Sequence, residues 1–255
     1  MIEMAGQAPA VLLLAFFITM AAGVVKGAVG FAMPLIMISG LSTVMDPKLA
    51  LAAMIIPVLV SNGLQTFRQG LAEALSAARE YWRYLTVVCL SIVVVAQTVV
   101  FIPHQVFYLV LGVPIVTLCV VQLAGWRLQI APERRRAAEW GIGLISGLLG
   151  GVAGIWGPTT VLYLMAINTT KARQMIVQGV IYGTGSVALV VAHLKSGLLN
   201  AETAPLSAML VIPAFAGMWI GFRLQDRMDA DLFRKSTLSV LIIAGLNLIR
   251  RGIIG

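Results

Sequence analysis

Eight long apolar segments dominate the chain and constrain its fold more than any other feature. About 20 residues of apolar helix are needed to cross a bilayer, and six of the segments have that length or slightly less. Only 11% of the 255 residues are charged, which is too few to cover a water-exposed surface. We therefore predict an all-α integral membrane protein, multi-pass in the inner cell membrane. The segments cover residues 9–40, 47–67, 84–102, 105–124, 140–167, 174–193, 204–221 and 236–249.

Two of these segments, 9–40 and 140–167, are too long for one straight helix, and glycine and proline interrupt both. The interruptions match one another at a single offset of 124 residues. Each half of the chain then continues with three more apolar segments, which indicates an internal duplication. The matched residues are Gly23, Gly27, Gly30 and Pro34 in the first segment and Gly147, Gly151, Gly154 and Pro158 in the second.

The duplication predicts three parts. A first membrane repeat covers residues 1–125, a basic cytoplasmic linker covers 126–136, and a second membrane repeat covers 137–255. Each repeat consists of one broken or hairpin helical segment followed by three transmembrane helices. Close helix packing through Gly-x-x-x-Gly spacing is an alternative explanation for some of the glycines, but it does not explain a proline that follows each cluster in register.

The loop charges indicate how the segments are oriented. If each broken segment enters and leaves on the same side, thirteen basic loop residues collect on one face and four on the other. Eight full crossings would separate them only ten to seven. Because positive loops stay in the cytoplasm, we predict the first arrangement, which inverts the second repeat relative to the first. The loops on the basic face are then 68–83, 125–139, 168–173 and 222–235.

Each break creates a helix N-terminus inside the membrane, near Phe31 and near Pro158. Such an end has unpaired N–H groups and a partial positive charge, so it suits an anion. Lys26 is the only Lys, Arg, Asp or Glu deep within an apolar segment, where a charge is costly. It either contributes to a binding site, snorkels to an interface or packs against carbonyl groups.

Polar side chains near the breaks complete the candidate site. Thr159 and Thr160 could donate hydrogen bonds to an anion or to their own helix backbone. Ser61, Asn62 and Gln65 can form a polar face on one helix, which either bonds to neighbouring helices or lines a permeation path. The predicted substrate-binding residues are Lys26, Gly27, Gly30, Phe31, Pro34, Asn62, Gln65, Gly151, Gly154, Trp156, Pro158, Thr159, Thr160, Gln178 and Tyr182.

The paired glycine-rich breaks, each followed by an apolar helix that opens near Lys48-Leu-Ala or Lys171-Ala-Arg, resemble the TauE/SafE family of sulfite exporters. The resemblance covers nearly the whole chain. It implies a secondary transporter, an exporter of a small anion such as sulfite or an organosulfonate like sulfoacetate. The first half departs from the most glycine-rich pattern, because Lys26 and Phe31 flank its break.

Other function classes have little support. The chain contains neither His-Glu-x-x-His nor Gly-x-Ser-x-Gly, so an intramembrane enzyme is disfavoured. An anion channel or a non-transporting membrane subunit is the alternative function. We expect a small anionic substrate and the lipid bilayer as partners, with no nucleic acid, metal or cofactor. A homodimer is one assembly that the sequence leaves open.

Overall fold

The computed structural model of the protein describes residues 7–98, 103–125, 129–225, 227 and 229–254. These residues form twelve α-helices and one 3-10 turn at Pro132–Arg134, so the all-α prediction is confirmed. The helices are α1 (Pro9–Val29), α2 (Met33–Leu41), α3 (Pro47–Phe67), α4 (Leu71–Glu80), α5 (Trp82–Val95), α6 (His104–Leu123), α7 (Arg135–Ala153), α8 (Gly157–Ala166), α9 (Lys171–Lys195), α10 (Ala204–Met209), α11 (Val211–Gln225) and α12 (Ala230–Ile254).

Several of the helices are suited to cross a membrane. Within the described residues, four helical stretches are long and apolar enough to do so: Pro9–Ala28, Pro47–Phe67, Arg173–Lys195 and Ala204–Gln225. Helix α5 (Trp82–Val95) and the part of α6 from Tyr108 to Leu123 are shorter apolar stretches. Large apolar side chains are also exposed on the outer surface, among them Leu90, Val94 and Ile212, as expected where lipid is the solvent.

Helix ends follow local sequence signals. Pro47 opens α3, and the Asp46 side chain caps it by accepting the N–H of Lys48 at 2.8 Å. At the equivalent point of the second half, Thr170 caps α9 by accepting the N–H of Arg173 at 3.4 Å. Such caps satisfy the first backbone N–H groups of a helix.

The stretch 68–83, interpreted from the sequence as a loop, contains the amphipathic helix α4. Its apolar residues have helical spacing but are too few for a membrane span. The predicted linker is only partly described, since residues 126–128 lie outside the described part. The remainder forms the 3-10 turn and packs on α8, where the N–H of Ile130 donates to the carbonyl of Ala166 at 2.9 Å. Helix α7 begins at Arg135, two residues before the predicted start of the second repeat.

The element order repeats once along the chain. The pair α1–α2 corresponds to α7–α8, α3 corresponds to α9, the pair α4–α5 to α10–α11, and α6 to α12. The contacts between helices repeat in the same way. Helix α1 of the first half packs on α11 of the second half, and the equivalent pair, α7 and α5, also pack on each other. Helices α3 and α9 pack on each other, and so do α6 and α12.

Equivalent helices of the two halves run antiparallel where they meet. In the α3–α9 contact, Asn62 bonds to Tyr182, and Thr66, one turn later, bonds back to Gly179. In the α6–α12 contact, Gly112 lies against Gly245, whereas residues earlier in α6 lie against Gly252. An inverted repeat requires this antiparallel relation. Inversion of the halves across a membrane stays a prediction that these packing directions support.

The loops assigned to the basic face do lie together at one end of the bundle, which we call the basic end. Hydrogen bonds join Arg68 to Gln225 at 3.0 Å and Arg173 to Glu80 at 2.7 Å. At the opposite end, the C-terminal part of α12 meets the loop after α2, where Arg251 donates to the carbonyl oxygen of Ser42. The cytoplasmic location of the basic end stays a prediction.

Candidate functional site

Both broken segments are helical hairpins. In the second, the hydroxyl of Tyr163 on α8 donates to the Glu139 carboxylate on α7 at 3.1 Å. The Ser146 and Thr159 hydroxyls bond nearer the turn, so α8 folds back along α7. In the first, Gly40 near the end of α2 packs against Ile18 in the middle of α1. Each hairpin therefore brings the start of its second helix to a tip inside the bundle.

Glycine is needed at both tips for its conformation. Gly30 caps α1 with φ 82° and Gly154 caps α7 with φ 67°, values at which an L side chain is strained. The next helices open with Pro34 and Pro158 in their first turns, where proline loses no helical hydrogen bond. This geometry accounts for the matched glycine and proline at each break.

The remaining glycines of the two clusters serve helix packing. A methyl group at Gly23 or Gly27 would overlap the backbone of α11, and one at Gly147 or Gly151 would press against Ser91 or Val95 of α5. The packing explanation is thus correct for these four positions. Gly27 and Gly151, which we predicted to bind substrate, lie in helix–helix contacts and do not line the cavity described next.

The two hairpin tips border one small cavity between them. Its volume is about 20 Å³, enough for roughly one water molecule, so an anion of several heavy atoms does not fit in this conformation, which we call closed. Eight of the predicted site residues line it, together with Ala32, Leu35, Ile155 and Gly157. The eight are Lys26, Phe31, Pro34, Asn62, Gly154, Trp156, Pro158 and Tyr182.

Lys26 brings a positive charge into this cavity. Its side chain is 2% exposed, and its ammonium donates a hydrogen bond to Oδ1 of Asn62. The same ammonium lies 5.7 Å from the centre of the Tyr182 ring, within the range of a cation–π interaction. The amide of Asn62 donates in turn to the carbonyl of Tyr182 at 3.1 Å. The Lys26 side chain is therefore buried and held in one orientation, and it does not snorkel to a membrane surface.

Helix ends add further positive potential. The first turns of α2 and α8 border the cavity through Pro34, Leu35, Gly157 and Pro158. Neither helix has a side-chain cap at its N-terminus, and the first N–H groups of a helix find no partner within it. An anion between the tips would meet two helix N-termini and the Lys26 ammonium.

The two halves of the chain differ at the positions of Lys26 and Asn62. The positions equivalent to Lys26 and Asn62 in the second half are Gly150 and Gly185, at offsets of 124 and 123. The Trp156 indole occupies the space beside both glycines. A methyl group added at Gly150 would lie 2.7 Å from the indole, and one added at Gly185 would lie 3.3 Å from it. The cavity thus has a cationic wall from the first repeat and an aromatic wall from the second.

Two predicted glutamines lie outside the cavity wall, Gln178 beside the first tip and Gln65 where α3 meets α9. Oε1 of Gln178 is 3.4 Å from where a methyl group on Gly30 would stand. That oxygen and both amide atoms of Gln65 are buried without a hydrogen-bond partner. Buried polar groups are normally paired, so these amides have hydrogen-bonding capacity that the closed structure does not use.

The two predicted threonines form hydrogen bonds within the protein, Thr159 inside its own hairpin and Thr160 with α5. The Thr159 hydroxyl bonds to Ser146 and to the carbonyl of Trp156, and the Thr160 hydroxyl lies 3.1 Å from that of Tyr84. Neither lines the cavity. Sequence reasoning missed Tyr84 and Ser146, which carry this network; the glycine-rich stretch around Ser146 was the only local signal.

A second missed feature is the ionic cluster at the basic end. Glu139 is fully buried and pairs with Arg83 at 2.7 Å and Arg135 at 3.2 Å. Glu139 directly precedes the predicted apolar segment 140–167, so the sequence indicated a charged residue in a loop. Partial burial alone would raise the pKa of nearby Glu80, but hydrogen bonds from Arg173 and Arg135 lower it below its usual range. The cluster holds α4, α5, α7 and α9 together around the outer part of the second hairpin.

Comparison with known protein families agrees with this architecture. The family model described as Sulfite exporter TauE/SafE matches residues 15–248. No curated protein and no solved structure was found to match the chain. The matched range includes both hairpin tips and every residue that lines the cavity between them. The chain therefore belongs to the TauE/SafE sulfite exporter family.

Proposed function

We propose that this protein is a secondary transporter that exports a small sulfur oxyanion, sulfite or an organosulfonate such as sulfoacetate, across the inner cell membrane. The observation that carries the proposal is the cavity between the hairpin tips, where the buried Lys26 ammonium meets the first turns of α2 and α8. Those groups attract negative charge and none of the cavity-lining residues is acidic.

The small cavity and the inverted packing together are the reasons for proposing a carrier and not a channel. A pore must be continuous for ions to pass, whereas this site has room for about one water molecule. A larger anion therefore requires the hairpins to separate. Antiparallel packing of equivalent helices supports an inverted repeat, the design in which one repeat rocks against the other around a central site.

The amides of Gln65 and Gln178 fit this cycle. They are buried without full pairing in the closed state, and Gln178 lies beside the first tip. Separation of the first hairpin from α9 would expose them to an anion or to water, either of which satisfies them. In the described part of the chain, the second tip has apolar neighbours instead, since Gly154 packs against Met54 and Leu189. The first hairpin therefore has the more polar flank.

Ligand binding and flux together test the proposal. Binding to the folded state raises the unfolding temperature, so the purified protein is heated with sulfite, sulfate, thiosulfate, sulfoacetate and taurine in turn. A sulfur anion that stabilises the protein should also show saturable flux and counterflow in proteoliposomes. Flux that rises linearly with concentration, without counterflow, would indicate a channel. Absence of both stabilisation and flux would indicate a non-transporting subunit.

A further inference from the structure

A second, much larger cavity lies at the end of the bundle opposite the basic end. Its volume is about 430 Å³, which is in the range of small-molecule sites. It is formed where the loop after α2 meets the start of α6 and the end of α12. Its polar lining residues are Ser42, Thr43, Gln105, Tyr108, Arg250 and Arg251.

The charge of this cavity is positive. Two arginines line it, and none of its lining residues is acidic. Arg250 donates to Oδ1 of Asn247 at 3.0 Å, and Arg251 donates to the carbonyl oxygen of Ser42 and stands 6.0 Å from the Tyr108 ring centre. None of these contacts neutralises the charge of either guanidinium group.

The wall also contains hydrogen-bonding groups that the protein leaves unused. Within the described residues, Nε of Arg251 and the Ser42 hydroxyl are buried and have no hydrogen-bond partner. Such groups cost free energy unless a ligand or water pairs them. Planar guanidinium donors match the oxygens of sulfonate, sulfate and phosphate groups well.

Helix orientation does not account for these arginines. Loop positives that orient a membrane protein collect at one end, and here they collect at the basic end. Arg250 and Arg251 are two of the four basic residues assigned to the opposite face. Their place there, around a cavity, calls for another role.

We propose that this cavity is a second anion site, which holds an oxyanion group (sulfonate, sulfate or phosphate) at the end of the transport path opposite the basic end. The inference deepens the proposed function and rests on it only in that the transported species is an anion. The oxyanion group belongs either to a free sulfur anion or to the headgroup of an anionic lipid. Both would engage Arg250 and Arg251.

The test measures binding with the central site removed. Calorimetry records sulfoacetate binding to full-length Lys26→Met protein in phosphatidylcholine nanodiscs, with and without Arg250→Gln and Arg251→Gln. The binding that remains in Lys26→Met should weaken roughly tenfold or more when either arginine is replaced. Lys195→Gln is the matched control, since it removes an exposed charge at the same end that does not line the cavity. Arg250→Gln alone keeps the test valid if Arg251→Gln does not fold.

A second arm identifies a lipid source. Native mass spectrometry counts phosphatidylglycerol retained by the wild type and by the arginine variants. Retention of one lipid that both arginine variants lose supports an oxyanion site occupied by a headgroup. If neither sulfoacetate nor phosphatidylglycerol binds, or if both bind equally to wild type and arginine variants, the second site does not exist. Unchanged binding and flux in Lys26→Met alone would overturn the central site and leave this result intact.

Discussion

Replacing Lys26 with methionine separates a binding role from a structural one. The side chain is buried, bonds to Asn62 and approaches the Tyr182 ring. It also lies in the last turn of α1, where a cation interacts favourably with the helix dipole. A purely structural lysine would act there through the helix end alone. Methionine keeps the apolar stem and removes only the charge.

The expected loss of binding follows from the distance at which an anion would sit. Two unit charges about 4 Å apart attract by about 4 kcal/mol at an effective dielectric constant near 20. Desolvation of the anion offsets part of this, so we expect the substitution to weaken binding by about 2–3 kcal/mol. That corresponds to a roughly 30- to 150-fold higher Kd.

The expected effect on stability is small or opposite in sign. Methionine leaves Oδ1 of Asn62 without its donor, which costs about 1–3 kcal/mol. It also removes a buried charge, whose desolvation costs several kcal/mol. We therefore expect the unfolding temperature of Lys26→Met without ligand to equal or exceed that of the wild type.

The assay compares both quantities in one preparation. Thermal unfolding with and without sulfite gives stability and binding, and counterflow of labelled sulfite in proteoliposomes gives transport. Lys195→Met serves as control because it removes an exposed lysine and should leave all three unchanged. A monodisperse Lys26→Met protein with normal flux would refute the reasoning and assign Lys26 to the helix end. A large fall in stability without ligand would refute the energy comparison.

Two further predictions concern orientation and the hairpin tips. Single cysteines at Asn200 and Asp229 in a Cys-free background should differ in labelling, because only Asn200 is predicted to face outside; labelling of Asp229 by an impermeant reagent in intact cells would contradict the orientation. Gly30→Val and Gly154→Val should abolish sulfite-induced stabilisation. Both glycines have positive φ, and a left-handed conformation costs an L residue about 1–2 kcal/mol. The control variant Gly141→Val, which has open space around it, should bind sulfite normally. Saturable flux that survives both tip substitutions together would count against the central site.

The sequence predicted those parts of the fold that depend on local signals. Helix α3 covers residues 47–67, as the apolar segment did, because Asp46 and Pro47 mark its start. The breaks at Gly30 and Gly154 were predictable because positive φ and a following proline leave a recognisable pattern. The charges of the loops predicted that the second repeat is inverted. Those charges do not indicate which helices contact each other.

The parts that the sequence did not predict depend on contacts between distant segments. Gly27 and Gly151 belong to the same clusters as Gly30 and Gly154, yet they face α11 and α5. Only the packing of the bundle separates the two roles. Likewise, the residues around Glu139 give no sign that it is buried. Its burial depends on an ion pair with Arg83, which lies 56 residues earlier in the chain.

The broken symmetry of the central cavity has a chemical consequence for the charge of the substrate. A symmetrical site would bury two lysines facing each other, whereas here Gly150 and Trp156 replace the second cation. One ammonium balances one negative charge, and uncompensated buried charge is costly. The closed cavity should therefore favour a singly charged anion: hydrogen sulfite over doubly charged sulfite, and a singly charged organosulfonate over sulfoacetate, which carries a second charge on its carboxylate.

This preference predicts that the flux of total sulfite rises as pH falls through the range in which sulfite takes up its proton. Methanesulfonate has one charge and no group that titrates there, so its flux should stay constant over the same range. Titration of the protein itself would change both fluxes together, which separates the two causes. The measurement is initial flux of each anion in proteoliposomes with equal pH on both sides. Equal or greater sulfite flux at the alkaline end would show that the site accepts the dianion, and that helix N-termini supply the second positive charge.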